Sequence, residues 1–369
     1  MASYARRTDR VSLSGIREVF EAAGPDAVNL GLGQPDFPAP DHVHRAATEA
    51  IEAGAADAYT ENRGTEGLRA AIREKHRRDN DLDPEPGSVI ATAGGSEALH
   101  LAIQAHVDPG EEVVIPDPGF VSYDALTHLA GGEPVRVGLR EDLTLDPEDV
   151  AEALTDDTAA FVVNSPANPT GAVQSPADVR AFADLADDHD VLCISDEVYE
   201  HILYEGRHVS PMAHAETDNV VVVNSCSKAY AMTGWRLGWS LASPERTEAM
   251  LKVHQYVQAC ASAPAQVAAE AALTGPHDAL EGMVDRFERR RDLLLEGLRA
   301  AGLEVPTPEG AFYAFPHVPD GWVEAVLDAG VIVVPGTAFG PAGAGHARIS
   351  YAASEAAIER AIAVFAEAA

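Results

Sequence analysis

Lys228 stands in the stretch Ser225-Cys226-Ser227-Lys228-Ala229-Tyr230-Ala231-Met232-Thr233-Gly234-Trp235-Arg236, in a chain with only three lysines (Lys75, Lys228, Lys252) among 26 basic residues. A lysine kept beside two small hydroxyls and just ahead of an arginine suits a site where an amine must attack a carbonyl. Arginine stays protonated and cannot be that nucleophile. For this stretch alone, a solvated loop lysine is the plain alternative. Other groups widen the chemistry. Backbone N–H groups at Gly95 and Ser96, after the tight turn at Gly94, can receive a phosphate, and Ser225, Ser227 and Arg236 can complete its pocket. Phe120 offers a ring face for stacking. Asp196 can hold an aromatic ring nitrogen protonated and so improve the ring as an electron sink. Asn168 and Tyr199 can hydrogen-bond a phenolic oxygen. A cofactor with a phosphate, a ring nitrogen and an aldehyde would use all of them.

The elements that must position these residues are short apolar runs separated by helical patterns. Val89-Ile90-Ala91-Thr92, Val113-Val114-Ile115, Ala160-Phe161-Val162-Val163, Val191-Leu192-Cys193-Ile194 and Val220-Val221-Val222-Val223 read as buried strands. Helices are expected over 14–23, 42–53, 65–80, 96–107, 123–129, 176–188 and 283–301, with another at the C-terminus. The alternation predicts βαβ units and an α/β fold with a largely parallel sheet. The polar candidates fall just past the C-terminal ends of the strands, where open sheets bind ligands. Gly31-x-Gly33 is no dinucleotide fingerprint, because Asp36 stands where the third glycine belongs. It reads as a turn, or as a loop that a ligand approaches closely. The chain is expected to divide into an arm and part of a small domain (1–40), a large cofactor-binding domain (41–280) and a small C-terminal domain (281–369).

The formal net charge is −33, with acidic residues scattered along the chain. Such a field repels nucleic acid and anionic membrane. Scattered acid with almost no lysine suits a surface kept soluble in concentrated salt, where screening removes the self-repulsion, so a halophilic origin is the working hypothesis. No long apolar run or secretory leader is evident, so a cytoplasmic protein is expected. Cys193, Cys226 and Cys260 form neither a disulfide framework nor a metal-ligand pattern, and no metal is expected.

The motifs Ser225-x-Ser227-Lys228, Met232-Thr233-Gly234-Trp235-Arg236-Leu237-Gly238-Trp239, Asn168-Pro169-Thr170-Gly171 and Asp196-Glu197-Val198-Tyr199 together resemble the class I, pyridoxal-phosphate-dependent aminotransferases, in particular prokaryotic aspartate and aromatic aminotransferases. The resemblance runs from Leu30-Gly31 to Arg348. It implies the fold-type I architecture: a mostly parallel sheet with helices on both faces, plus a smaller α/β domain. It implies that Lys228 binds pyridoxal 5′-phosphate as a Schiff base and then shuttles a proton. It places Asp196 on the ring nitrogen, Tyr199 and Asn168 on the ring oxygen, Phe120 on the ring face, and Gly94, Gly95, Ser96, Ser225, Ser227 and Arg236 around the phosphate. It also implies a homodimer with shared active sites, in which Tyr59 reaches the neighbouring subunit's phosphate. Arg348 would grip the substrate carboxylate, with Gly33 and Asn168 beside it.

The implied reaction moves the amino group of an L-amino acid (aspartate, aromatic or alanine-like) to a 2-oxo acid such as 2-oxoglutarate. Two departures bear on substrate. Ala167 replaces a second asparagine, and Ser96 stands where some aspartate-specific relatives place a lysine. Arg63 is a candidate to reach a dicarboxylate across the dimer. The competing reading keeps the cofactor and changes the reaction to C–S lysis or another α,β-elimination. A regulator would need a basic helix-turn-helix, and a nucleotide enzyme an intact phosphate-binding glycine motif; neither is present.

Overall fold

A computed structural model describes residues 5–13 and 27–369. The helix expected over 14–23 lies outside the described residues. The core of the molecule is a seven-stranded sheet made of β2 (Val89–Thr92), β3 (Glu112–Asp117), β4 (Glu133–Gly138), β5 (Thr158–Asn164), β6 (Leu192–Asp196), β7 (Val220–Ser225) and β8 (Gly238–Leu241). β1 (Val28–Asn29) lies outside this sheet and pairs with β10 (Val331–Ile332). The spatial order of the main sheet is β2-β8-β7-β6-β5-β3-β4. β3, β4, β5, β6 and β7 run parallel, and β8 is antiparallel to both its neighbours. The apolar runs are buried along their length because helices cover both faces.

The sequence expectations missed β4 and β8. β4 carries Glu133, Pro134 and Arg136 and is only partly buried, so no apolar run marks it. β8 begins at Gly238, inside what reads as the lysine motif. The segment between Lys228 and Trp239 is therefore the turn that brings the chain back antiparallel to β7. The helix expected from Ser96 starts at Gly95 and spans Gly95–His106, with Gly94 at φ 82° as its cap. A further helix, Pro244–Val257, lacks a clear apolar stripe and was not anticipated.

A second apolar cluster gathers Leu30, Phe287, Leu294, Phe312, Tyr313, Trp322, Ile349 and Phe365. It is built on the helices Asp278–Ala300 and Glu355–Ala368 and on β11 (Val334–Pro335), β12 (Ala347–Ser350) and β9 (Tyr313–Ala314), which form a small sheet in the order β11-β12-β9. Leu30 joins this cluster from the N-terminal side, through the pairing of β1 with β10. No helix among the described residues is long and apolar enough to cross a membrane.

Candidate active site

The C-terminal ends of β5, β6 and β7 face a cavity of about 280 Å³ lined by Gly33, Gly95, Ser96, Phe120, Asn168, Asp196, Tyr199, Ser225, Ser227, Lys228, Arg236 and Arg348. Tyr313, Asn164, Thr233, Gln34, Leu32, Leu99 and Val198 complete it. A wider cleft of about 900 Å³ lies along Phe120, Asp124, Arg136 and Phe339 but contains none of the lysine-loop residues. The chemistry belongs to the smaller cavity.

β7 delivers Ser225, whose hydroxyl accepts from Ser227 N at 3.2 Å and caps the short helix Cys226–Ala229. That turn carries Lys228 into the cavity, where its amine donates to the Gly33 carbonyl. Burial, then the cations of Arg348 and Arg236, push the Lys228 amine down to about 8, against an opposing pull from Asp196. The amine is thus poised to be a nucleophile near neutral pH.

Asp196 ends β6 and is 3% exposed. Its Oδ2 accepts from the Tyr123 hydroxyl at 2.7 Å and its Oδ1 from Val198 N at 3.4 Å. Burial raises its carboxyl to about 6, more than those two bonds lower it. A buried carboxylate with so little compensation suits a cationic ring nitrogen arriving with a ligand. Nothing in the sequence marks Tyr123 beyond its being near Phe120.

Asn168 and Arg348 are held together, Arg348 Nη1 donating to Asn168 Oδ1 at 2.9 Å. The other Arg348 nitrogen, Nη2, donates to the Gly31 carbonyl at 2.6 Å, and the guanidinium lies 4.6 Å from the Tyr313 ring centroid and 4.7 Å from that of Phe339. Its Nε is buried without a partner. A fully buried cation with no carboxylate paired to it among the described residues is built for an incoming anion. Asn164 braces the loop: its Oδ1 accepts from Asn168 N at 2.8 Å, and its Nδ2 donates to the Asp196 carbonyl at 2.9 Å.

Arg236 adopts φ 54° and reaches back over the Gly94 turn, Nη1 donating to the Thr233 carbonyl at 3.0 Å. A Cβ at Gly94 would sit 2.7 Å from Arg236 Nη2, so glycine there lets the guanidinium close over the start of the Gly95–His106 helix. Gly94 shapes the cavity without lining it. Tyr59 does not reach this cavity: it is 90% exposed. Arg63 is absent from the lining too, since its Nη1 donates to the Gly87 carbonyl of its own chain at 2.6 Å. That contact leaves the expected reach across a dimer without support.

Tyr313 is the functional candidate that the residue pattern did not expose. Its hydroxyl lies 2.8 Å from that of Tyr199, and a Cβ at Gly33 would be 2.3 Å from it. In the sequence its run, 308–315, reads equally well as aromatic core.

An amine nucleophile, a buried acid, a helix N-terminus with two serines and an arginine, and a second buried arginine define an enzyme that activates amino acids on an aldehyde cofactor. The residues fit such a group by size and charge, from the glycine cradle to the undercompensated aspartate. The chain belongs to the family described as aminotransferase class I and II, which matches residues 25–365. It is 41% identical to the probable aspartate aminotransferase of Methanocaldococcus jannaschii, over 98% of each chain. It is 44% identical to the aspartate/prephenate aminotransferase of Thermus thermophilus, over 93% of this chain and 91% of that one. The solved structure of Thermus thermophilus aspartate aminotransferase with maleate superposes with a TM-score of 0.95 at 41% identity, covering 100% of both chains. The protein is a pyridoxal-phosphate-dependent aminotransferase of fold-type I.

Proposed function

We propose that the enzyme transfers the amino group of aspartate or an aromatic L-amino acid to 2-oxoglutarate, with Lys228 as the catalytic residue. The observation that carries this reading is the Lys228 amine, lowered to about 8 and set among Arg348, Arg236 and Asp196. The names of the relatives support both donor types.

Pyridoxal phosphate, when bound, supplies the aldehyde that takes up the amino group and the ring that absorbs the electron pair of the broken Cα–H bond. Around it the chain does the rest. Gly95, Ser96, Ser225, Ser227 and Arg236 hold the phosphate, with Gly94 leaving room for Arg236. Asp196 keeps the ring nitrogen protonated. Tyr199 and Asn168 donate to the ring oxygen, and Phe120 covers a ring face. Arg348 binds the substrate α-carboxylate, with Gly33 and Asn168 at its side, and so points the α-hydrogen at Lys228, whose amine carries the proton.

The working form in this reading is a homodimer. Tyr59, Tyr256 and Val257 are 90%, 88% and 56% exposed. Their segments are pinned together where His254 Nε2 meets the Asn62 carbonyl at 2.8 Å. Exposed large apolar side chains on two joined segments support a second copy as the cover, with Tyr59 reaching the partner's site in this reading. Division into an arm with part of a small domain (1–40), a large domain (41–280) and a small domain (281–369) is supported by the apolar cluster that joins Leu30 to residues from Met283 to Phe365, into which only Tyr199 and Ile202 enter from 41–280 as buried members. A cytoplasmic, halophilic setting is supported by three free cysteines and the charge of −33.

The test is a donor screen with 2-oxoglutarate in concentrated KCl. Glutamate formation from aspartate or phenylalanine is expected. Ammonia and pyruvate released from a cysteine thioether, with the thiol as leaving group and no oxo-acid acceptor present, would instead establish an eliminating enzyme.

A further inference from the structure

One buried group of charges takes no part in the chemistry above. Lys75, on the helix Glu66–Asn80, is fully buried and pairs with Glu200. Its amine also donates to Asn80 Oδ1 at 2.7 Å, and Asn80 Nδ2 donates to Glu200 Oε2 at 2.8 Å. Glu200 Oε1 accepts from Asn224 Nδ2 at 2.6 Å, and Asn224 Oδ1 accepts from the Ser225 amide at 2.7 Å. The chain of bonds ends on the residue that opens the phosphate pocket. Glu200 also directly follows Tyr199.

Nearby, Glu197, Glu200 and His208 have ligand atoms within 4.8 Å of one another, an arrangement that would suit a metal. Lys75 already supplies the cation. The Ser195 and Ser210 hydroxyls satisfy Glu197 Oε1 at 2.9 and 2.6 Å. Burial opposes the Glu200 charge, but Lys75, foremost, with the nearby histidines His201, His208 and His76 behind it, overrides burial and holds the carboxyl well below its usual range. His76 is pushed down to about 3 by burial and Lys75, so its neutral ring accepts from Trp239 Nε1 at 3.0 Å. Trp239 pairs with Asn224 across β7 and β8.

We propose that Lys75 is a positioning residue for the cofactor phosphate: it keeps Glu200 as a buried anion that orients Asn224, and through Asn224 the Ser225 amide and hydroxyl. The inference rests on the phosphate-binding role given above to Ser225. A charge-assisted bond to Asn224 fixes that side chain more firmly than a neutral one. Losing it lets the Ser225 turn relax, and phosphate recognition suffers before aldehyde recognition does.

The experiment titrates cofactor-free protein with pyridoxal phosphate and, separately, with pyridoxal, which lacks the phosphate. Lys75→Met and Asn224→Ala are each expected to weaken pyridoxal phosphate binding about tenfold while pyridoxal binding changes less than about twofold. The paired variant Lys75→Met/Glu200→Gln leaves no uncompensated buried charge and keeps the test open if Lys75→Met alone does not fold. It should show the same selective loss. Equal weakening of both ligands, or no weakening, overturns the proposal and leaves Lys75 a packing residue. If the unsubstituted protein does not distinguish the two ligands, the phosphate assignment of Ser225 fails instead.

Discussion

The hydroxyls of Tyr199 and Tyr313 lie 2.8 Å apart on the cavity wall, and the guanidinium of Arg348 rests 4.6 Å from the Tyr313 ring centroid. One tyrosine thus touches both the group assigned to the cofactor and the group assigned to the substrate. Tyr313→Phe keeps the ring and removes the hydroxyl. The expected loss is about 1 kcal/mol of transition-state stabilisation, or roughly fivefold in kcat, with KM for the amino donor nearly unchanged. Steady-state kinetics check it. In Tyr199→Phe, adding Tyr313→Phe should cost much less, because the hydroxyl pair is already broken.

Asp196 should make the cofactor-free protein sensitive to pH. Its folded carboxyl is raised to about 6 from an ordinary 3.8. A raised folded value means that the contribution is present below the unfolded value and is lost as pH rises through the folded one. Between pH 4 and 7 the cofactor-free protein should lose roughly 3 kcal/mol from this group. Asp196→Asn stays neutral, so the difference in urea midpoint between variant and parent should open in the variant's favour across that window. Parallel curves would show that Asp196 is solvated before cofactor arrives.

Uptake of pyridoxal phosphate should follow the free amine of Lys228. Its rate is expected to rise with pH around a midpoint of about 8, the value to which burial and the two arginines lower Lys228. Replacing Arg348 by methionine removes one of those cations, so the midpoint should move upward. Stopped-flow absorbance at a series of pH values measures both.

Tyr256→Asp places a charge beside Val257, on the exposed segment that His254 joins to the segment carrying Tyr59. It should convert the proposed dimer to monomer in light scattering and abolish most activity, since a monomer leaves Tyr59 exposed to water. An active monomer would refute shared sites.

Salt should stabilise the protein. With a net charge of −33, self-repulsion is strong at low ionic strength and largely screened above about 1 M. The melting temperature is expected to climb steadily from dilute buffer to multimolar KCl. A flat profile would remove the halophilic reading.

The candidate site was largely legible in the chain because its residues sit at strand ends, and buried strands announce themselves as apolar runs. Asp196 follows Cys193-Ile194-Ser195, and Ser225 follows Val220-Val221-Val222-Val223-Asn224, so reading the runs located the residues after them. β4 stayed hidden because an edge strand with polar residues carries no such signal. Tyr123 and Tyr313 stayed hidden because an aromatic residue in the core and one in a site have the same local pattern.

The sequence by itself determined the chemistry on offer: an amine at Lys228, an acid at Asp196 and a guanidinium at Arg236, with Lys228 and Asp196 placed at or just after strand ends, while the resemblance alone assigned Arg348 to a carboxylate. Residue type sets what a group can do, and hydrophobic period sets where a strand ends. Only the tertiary structure decided how those groups behave. It buried Asp196 with little compensation, crowded Lys228 with two arginines and joined Tyr313 to Tyr199 across 114 residues of chain. It also linked Lys75 to Ser225 through Glu200 and Asn224. Burial and long-range contact are properties of the packed chain, and no local window of sequence contains them.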